Sequence, residues 1–388
     1  MTLTRRSFLG TACSLAAHPL ITPMAMAAAP TDHRLVVILL RGGMDGLDAV
    51  RPIGSRNLST LRQNGMTELG FDLDGYFAAS EGFNALQPLW AAGELAFAHA
   101  VSTPYRDKRS HFDGQDILEA GSVGVDGTRD GWLNRLLQIL PGAEAQTGFA
   151  VGGDQLRILE GDAPVLNWAP DTPFMMSDQD RLLLEHIYAD DDVFHSAINE
   201  ASMLVGTGMA MGEGGGTNMS ARRGDQAAEL ARFTADQLLG DTRIASFTIN
   251  GWDTHRRQSF QLKSRLEDLS NAILALRDGL GPVWSKTTVL AMTEFGRTAA
   301  MNGSFGTDHG TGGAMVMSGG AVKGGKVYGR WPGLAEADLY DRRDLMPTMD
   351  VRAFAGSVIG DLFGIGASDI ERTVFPGLVW ADRPSVVL

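Results

Sequence analysis

The chain has 388 residues, which leaves open one large α/β domain with insertions or two domains. Its formal net charge is −13, and positive residues form no long basic run. Nucleic acid and anionic membrane surfaces are therefore poor partners, and an anionic substrate would need a local positive centre such as a metal ion.

The first element, residues 1–29, has the form of a twin-arginine export signal. Arg5 and Arg6 precede a modestly apolar segment, and small residues that suit cleavage follow near Ala28. We expect this segment to be removed and the mature protein to be periplasmic or secreted, with no membrane span. Cys13 is the only cysteine and lies inside the signal, so the mature chain has no disulfide and no thiol nucleophile.

Apolar runs then alternate with helical patterns. Strands are expected at residues 35–40, 95–101, 244–249, 288–292 and 314–317. Helices are expected at residues 57–63, 85–92, 111–120, 221–239, 258–280 and 348–363. Continuous apolar runs are typical of parallel strands buried on both faces. This alternation predicts an α/β fold whose largely parallel sheet is covered by helices on both faces.

Residues 177–205 interrupt the alternation with a further helical pattern, and a loop rich in Gly and Met follows at residues 206–216. We expect a helical insertion at about residues 170–220, within one domain that spans residues 30–388. The insertion could be a lid over a site or a surface elaboration, and the pattern favours neither.

Carboxylates and imidazoles cluster around three of the expected strands. Asp253 and His255 follow the third strand, and Glu294 follows the fourth. Asp308 and His309 lie between glycines, ahead of the fifth. Ligands of parallel sheets bind at the carboxyl ends of the strands, and these residue types are metal ligands, so the spacing predicts a metal centre. The alternative for the first pair is a helix-capping aspartate beside a surface histidine.

Five short motifs tie the chain to known proteins. They lie at residues 41–47 (RGGMDGL), 109–112 (RSHF), 251–255 (GWDTH), 294–298 (EFGRT) and 306–310 (GTDHG). With them, nearly the whole chain resembles a bacterial family of exported proteins of unknown function, domain of unknown function 1501, in the alkaline phosphatase and sulfatase superfamily. The resemblance implies an alkaline-phosphatase-like three-layer sandwich and one or two divalent metal ions, which could be Zn, Mn, Mg or Ca. It also implies that Asp45, after the first strand, is a metal ligand.

The superfamily resemblance further implies a nucleophile at the start of a helix. Ser110 precedes the expected helix at residues 111–120, whose first turn favours an anion, and His111 could bind metal or donate a proton. The alternative, which the frequency of serine caps favours, is that Ser110 caps this helix. Ser102 is a competing candidate, because residues 102–106 have the outline of a sulfatase signature, although they lie too far ahead of the helix.

Arg106 and Arg109, with Lys108 between them, form the densest cationic patch near these residues. The two arginines could clamp an anionic oxygen of a substrate. They could equally pair with acidic neighbours at the surface.

These patterns predict an exported, metal-dependent hydrolase of a phosphate or sulfate ester, carried by a small molecule or a polymer. The alternative is a periplasmic binding or assembly protein that keeps the fold without turnover. That alternative stays open because the spacing Asp253-x-His255 departs from the Asp-x-x-x-His pair of the superfamily. The sequence does not indicate an oligomeric state.

Overall fold

The computed structural model describes residues 31–63, 65–106, 108–125, 127–153, 156–168, 219–380 and 383–388. The predicted export signal, the helical pattern predicted at residues 177–205 and the loop predicted at residues 206–216 lie outside the described residues.

Within these ranges, twelve strands form two sheets. The strands are β1 (Arg34–Arg41), β2 (Val50–Arg51), β3 (Leu69–Asp72), β4 (Ala78–Ser80), β5 (Leu95–Ser102), β6 (Gly148–Val151), β7 (Leu166–Trp168), β8 (Ile244–Asn250), β9 (Thr287–Met292), β10 (Gly313–Ser318), β11 (Lys326–Tyr328) and β12 (Met349–Asp350). The large sheet has the order β11-β5-β10-β9-β1-β8-β6-β7, and β12 also pairs with β5. Its pairs are parallel except where β10 meets β5 and β9. The small antiparallel sheet has the order β2-β4-β3.

The helices between the strands are mostly short. They are α1 (Gly46–Ala49), α2 (Leu58–Leu61), α3 (Gln87–Ala91), α4 (His111–Ala120), α5 (Trp132–Ile139), α6 (Met219–Leu239), α7 (Gln258–Leu280), α8 (Val351–Phe363) and α9 (Ala367–Asp369). Six short 3-10 or π-helical segments complete them, at Glu81–Leu86, Ala145–Thr147, Arg157–Leu159, Gly281–Lys286, Glu336–Asp338 and Ile370–Val374. No helix in the described part of the chain is both long and apolar enough to cross a membrane.

Strand β1 lies between two apolar cores. Its residues 35–40 are buried, and successive side chains of a strand point to opposite faces of the sheet. The even-numbered residues pack with α6 and α7, and the odd-numbered ones pack with α5 and α8. Helices therefore cover both faces of a largely parallel sheet, which confirms the predicted mixed α/β architecture.

The three central strands end at the same edge of the sheet. β1 is parallel to both β8 and β9, and the register pairs Arg41 with Asn250 and Leu39 with Met292. The loops that follow these strands therefore leave the sheet side by side, at the edge where parallel α/β sheets bind ligands.

Candidate metal centre

A carboxylate oxygen, Asp253 Oδ1, lies among three imidazole nitrogens at this edge. It is 3.0 Å from His255 Nε2, 3.2 Å from His309 Nε2 and 3.5 Å from His111 Nε2. The Nε2 atoms of His255 and His309 are 3.0 Å apart. In a tetrahedral site with bonds near 2 Å, neighbouring ligand atoms lie about 3.3 Å apart, so these spacings suit a shared metal ion. We call these four residues the imidazole cluster.

The remote ring nitrogen of each histidine meets an oxygen acceptor. Nδ1 of His111 lies 2.8 Å from Glu294 Oε1, Nδ1 of His255 lies 3.1 Å from Asp308 Oδ1, and Nδ1 of His309 lies 2.8 Å from the carbonyl oxygen of Arg109. A carbonyl or an ionised carboxylate only accepts, so each Nδ1 donates. Each Nε2 can donate to Asp253 while its ring is protonated, and would present its lone pair to a metal that displaced this proton. Convergent Nε2 atoms with oxygen partners behind them are the usual arrangement of metal-binding histidines.

Close contact between main chains positions the ligand loops. Gly42, directly after β1, has φ +125°, and a Cβ atom there would lie 2.6 Å from the backbone nitrogen of Asp253. A Cβ atom at Gly306 would lie 2.2 Å from the carbonyl carbon of His255. Only glycine fits at such distances, which explains why glycines surround these residues in the sequence.

Glu294 lies behind His111 and is fully buried. Its Oε1 also accepts from the backbone nitrogen of Gly42 at 2.8 Å, and its Oε2 accepts from Thr293 Oγ1 at 3.0 Å. Burial opposes ionisation of Glu294, but the hydrogen bonds from His111 and from backbone donors outweigh it and hold its pKa below the usual range. The sequence predicts Glu294 as a ligand, and the structure instead places its carboxylate where it orients His111.

Arg297 is buried beside the imidazole cluster and forms an ion pair with Asp253. The sequence patterns did not predict a role for this residue. It is 1% exposed, and its Nη1 donates to Asp253 Oδ1 at 2.7 Å, while Nη2 donates to the carbonyl of Thr307 at 2.6 Å. Burial opposes ionisation of Asp253, but hydrogen bonds from His111, His309 and Arg297 hold its pKa well below the usual range. The available signal was the position of Arg297 in the same motif as Glu294.

The electrostatic field at His111 favours positive charge. Asp253 on one side of the ring and Glu294 on the other together raise the pKa of His111 to about 9, although partial burial opposes this. The same negative field would favour a divalent cation.

The imidazole cluster is reachable from solvent on one side. The side chains of Asp253 and His255 are 42% and 40% exposed, whereas those of His111 and His309 are 25% and 20% exposed. Asp308, behind His255, is 52% exposed. An ion held here would therefore face solvent on the His255 side.

Asp45 lies outside the imidazole cluster, contrary to its predicted place in the ligand set. Its carboxylate binds Arg62 through both oxygens, at 2.7 and 3.2 Å, and accepts from Gln258 Nε2 at 2.8 Å. The same carboxylate caps α1 by accepting from the backbone nitrogens of Leu47 and Asp48. Burial opposes ionisation of Asp45, but Arg62 holds its pKa below the usual range. These donors already occupy its oxygens.

Both candidate nucleophiles have structural partners. Ser110 caps α4, because its Oγ accepts from the backbone nitrogen of Asp113 at 3.4 Å. Ser102 is buried, and its Oγ donates to the carbonyl of Thr103 at 2.7 Å and accepts from Arg106 at 3.0 Å. Of the two alternatives for Ser110, the structure places it in the capping position.

The two candidate substrate clamps also bind groups of the protein. Arg106 donates to the carbonyl oxygens of Thr103 and Tyr105 in its own loop. The Arg109 guanidinium contacts Asp344 at 3.4 Å. Arg109 therefore meets the imidazole cluster through its carbonyl oxygen, on His309, and not through its charge.

Two solved structures show a weak likeness to the chain. The crystal structure of Ps i-CgsB in complex with k-i-k-neocarrahexaose aligns with a TM-score of 0.41 and 10% identity, over 88% of this chain and 74% of that chain. A second crystal structure of Ps i-CgsB aligns with a TM-score of 0.37 and 9% identity over the same shares. We draw no argument from scores this low.

A protein-family profile gives the clear match. No curated protein matches the chain. The profile described as "Protein of unknown function (DUF1501)" matches residues 97–374, well over half of the chain, and this stretch contains all four residues of the imidazole cluster. The chain therefore belongs to the DUF1501 family of proteins of unknown function.

Proposed function

We propose that this protein is a metal-dependent hydrolase of phosphate or sulfate esters and that the imidazole cluster holds its metal. The observation that carries the proposal is the convergence of three Nε2 atoms within 3.5 Å of Asp253 Oδ1, each with its Nδ1 against an oxygen acceptor. A metal ion at this place would polarise an ester oxygen and lower the pKa of a water molecule.

The types of donor atom in the imidazole cluster indicate which metal it would prefer. Three imidazole nitrogens and one carboxylate oxygen suit Zn²⁺ and similar transition metals, whereas Mg²⁺ and Ca²⁺ favour oxygen ligands. Of the four metals that the resemblance implies, Zn²⁺ therefore fits best. His111, Asp253 and His309 each offer an atom within 4.8 Å of the others, and His255 adds a fourth ligand on the open side. These four donors could hold one ion, and a water molecule would then be a fifth ligand on the open side beside His255.

Water is the better nucleophile for this site than a serine. Ser110 Oγ is engaged in the helix cap and Ser102 Oγ is buried against its own loop, whereas the cluster is open to solvent beside His255. A metal held by the imidazole cluster would lower the pKa of a water molecule on its open side, and this water would then supply the nucleophile for phosphorus or sulfur.

Two finer parts of the proposal follow the sequence resemblance. We propose that the sheet and its helices form an alkaline-phosphatase-like sandwich. A largely parallel sheet with ligand loops at its carboxyl edge supports this. We also propose that the protein is exported through the twin-arginine route, which the residues Arg5 and Arg6 support.

Metal analysis of protein purified without chelator tests the proposal. We expect bound Zn²⁺ in the parent and its loss in an Asp253→Ala/His309→Ala variant. The matched control is Asp241→Ala, which removes an exposed carboxylate just ahead of β8, at the opposite end of that strand from the cluster. A parent that takes up no metal after incubation with Zn²⁺ would overturn the proposal.

A non-catalytic binding protein is the second candidate, and the engaged serines favour it. Chromogenic phosphate monoesters, phosphate diesters and sulfate esters distinguish the two functions. Turnover that Zn²⁺ supports and that Asp253→Ala abolishes indicates a hydrolase. Bound metal without turnover of any of the three ester types indicates a binding protein.

A further inference from the structure

Asp344 is a buried carboxylate that connects two arginines near the imidazole cluster. It is 0% exposed, and its Oδ1 accepts from Arg343 Nη1 at 2.8 Å. Its Oδ2 accepts from Thr311 Oγ1 at 2.9 Å and from Arg109 Nη2 at 3.4 Å. A buried carboxylate with several charged or hydroxyl donors is held rigidly, because each lost partner would leave a buried polar group unsatisfied.

Both arginines also contact His309. The carbonyl oxygen of Arg109 accepts from His309 Nδ1 at 2.8 Å, and Arg343 Nη1 donates to the carbonyl oxygen of His309 at 3.0 Å. Arg109 thus contacts the ring of His309, and Arg343 contacts its backbone. Asp344 contacts both arginines.

The backbone of Arg109 needs such support. Its φ is +54°, in the left-handed region that residues other than glycine rarely adopt. This conformation persists only when surrounding contacts hold it, and the contact of its guanidinium with Asp344 is one of them. Loss of this contact would remove one of the supports that keep the Arg109 carbonyl against His309 Nδ1.

We propose that Asp344 is a positioning residue for the candidate metal centre, which fixes His309 through Arg109 and Arg343. This inference rests on the proposed function. Substitution of an outer partner of a metal-binding histidine typically weakens metal affinity about 10- to 100-fold.

The test is Asp344→Asn in the full protein, with Zn²⁺ affinity measured by competition with a chelating dye. Because Asp344 acts through the two arginines, we expect a loss of affinity at the lower end of this range, about 10-fold, and a changed visible spectrum of the Co²⁺ form. The control is Asp350→Asn, which breaks a comparable ion pair with Arg352 at 2.7 Å, where neither residue contacts His309. The control should lose stability but keep the parent's metal affinity and Co²⁺ spectrum. Affinity of Asp344→Asn within about twofold of the parent would overturn the inference.

Two further measurements separate the possible failures. If Asp344→Asn does not fold, the second variant is Arg343→Gln, at a side chain that is 36% exposed. This variant removes the contact of Arg343 with the carbonyl oxygen of His309, and we expect a smaller loss of Zn²⁺ affinity. Long-range proton–nitrogen spectra of the histidine rings report the His309 Nδ1–H form without any metal. A parent that binds no metal overturns the proposed function, and an unchanged His309 ring signal in Asp344→Asn then also overturns the positioning role.

Discussion

His111 Nδ1 donates to Glu294 Oε1 over 2.8 Å, and this contact joins a partly exposed ring to a completely buried carboxylate. The Glu294 carboxylate is in turn anchored by the backbone of Gly42, at the end of the central strand. The orientation of His111 therefore depends on the sheet itself, although His111 is the first residue of a helix. A carboxylate behind a histidine also makes the ring a stronger metal ligand.

Glu294→Gln should weaken metal binding while the protein remains folded. Glutamine keeps the shape and one oxygen acceptor but removes the charge that supports His111, so we expect Zn²⁺ affinity to fall about 10-fold or more. The matched control is Glu119→Gln, another buried glutamate, which pairs with Arg41 and lies outside the imidazole cluster. Equal affinity in Glu294→Gln and Glu119→Gln would contradict an orienting role for Glu294.

Ser110→Ala should retain metal binding and any ester hydrolysis. The serine caps α4, and loss of such a cap costs about 0.5–2 kcal/mol of stability, here at the lower end because the hydrogen bond is long at 3.4 Å. Thermal unfolding and ester turnover are measured side by side, with Ser110→Thr as the variant that retains the cap. Turnover abolished in the folded alanine variant would restore Ser110 as the nucleophile.

Arg62→Met should destabilise the protein strongly. It leaves the Asp45 carboxylate buried without its partner, and breaking a buried pair in this way costs about 3–5 kcal/mol. The double variant Arg62→Met/Asp45→Asn removes the unpaired charge, so part of the loss should be recovered in urea unfolding. If the double variant is no more stable than the single one, then the pair does not account for the loss.

His99 should make stability depend on pH. Its ring is buried between strands, with Nε2 2.8 Å from the carbonyl of Val50, and burial lowers its pKa to about 4 from 6.5. Between pH 6.5 and 4 the unfolded chain binds a proton at this histidine and the native protein does not. The contribution of neutral His99 to the free energy of unfolding is therefore complete above pH 6.5 and is lost progressively as the pH falls toward 4. The loss approaches about 3 kcal/mol, at roughly 1.4 kcal/mol for each unit of the shift.

Urea midpoints across this pH range test the assignment. His99→Gln should be less stable at neutral pH, but the midpoint should fall less steeply with acid than in the parent, since glutamine does not titrate. Parallel slopes in the two proteins would exclude His99 as the cause.

The sequence predicted the layered α/β architecture because its signal is local. Continuous apolar runs alternate with helical patterns, and parallel pairing then places the loops after β1, β8 and β9 at one edge. The nearness of Asp253, His255 and His309 followed from this topology. The topology does not specify which carboxylate oxygen contacts which histidine ring nitrogen in the cluster.

The less predictable parts of the site depend on buried partners from distant segments. Asp45 was expected at the metal, but Arg62 lies within reach and binds it, and no local pattern marks that pairing. Glu294 was expected as a ligand, and the first turn of α4 brings His111 between it and Asp253. Asp344 had no signal in the sequence, because Thr311 and Arg109 reach it from two other loops.

The glycines beside the imidazole cluster allow the spacing of its loops and the chemical type of its donor atoms to be varied independently. At Gly42 and Gly306 main chain touches main chain, so the spacing between ligand loops does not depend on side-chain packing. Exchange of His255 for a carboxylate residue would replace an imidazole nitrogen by a harder oxygen donor on the solvent-exposed side of the cluster, and the loops would keep their spacing. Any larger residue at Gly42 would instead push Asp253 away. The metal preference of the proposed centre could therefore be changed without moving its loops.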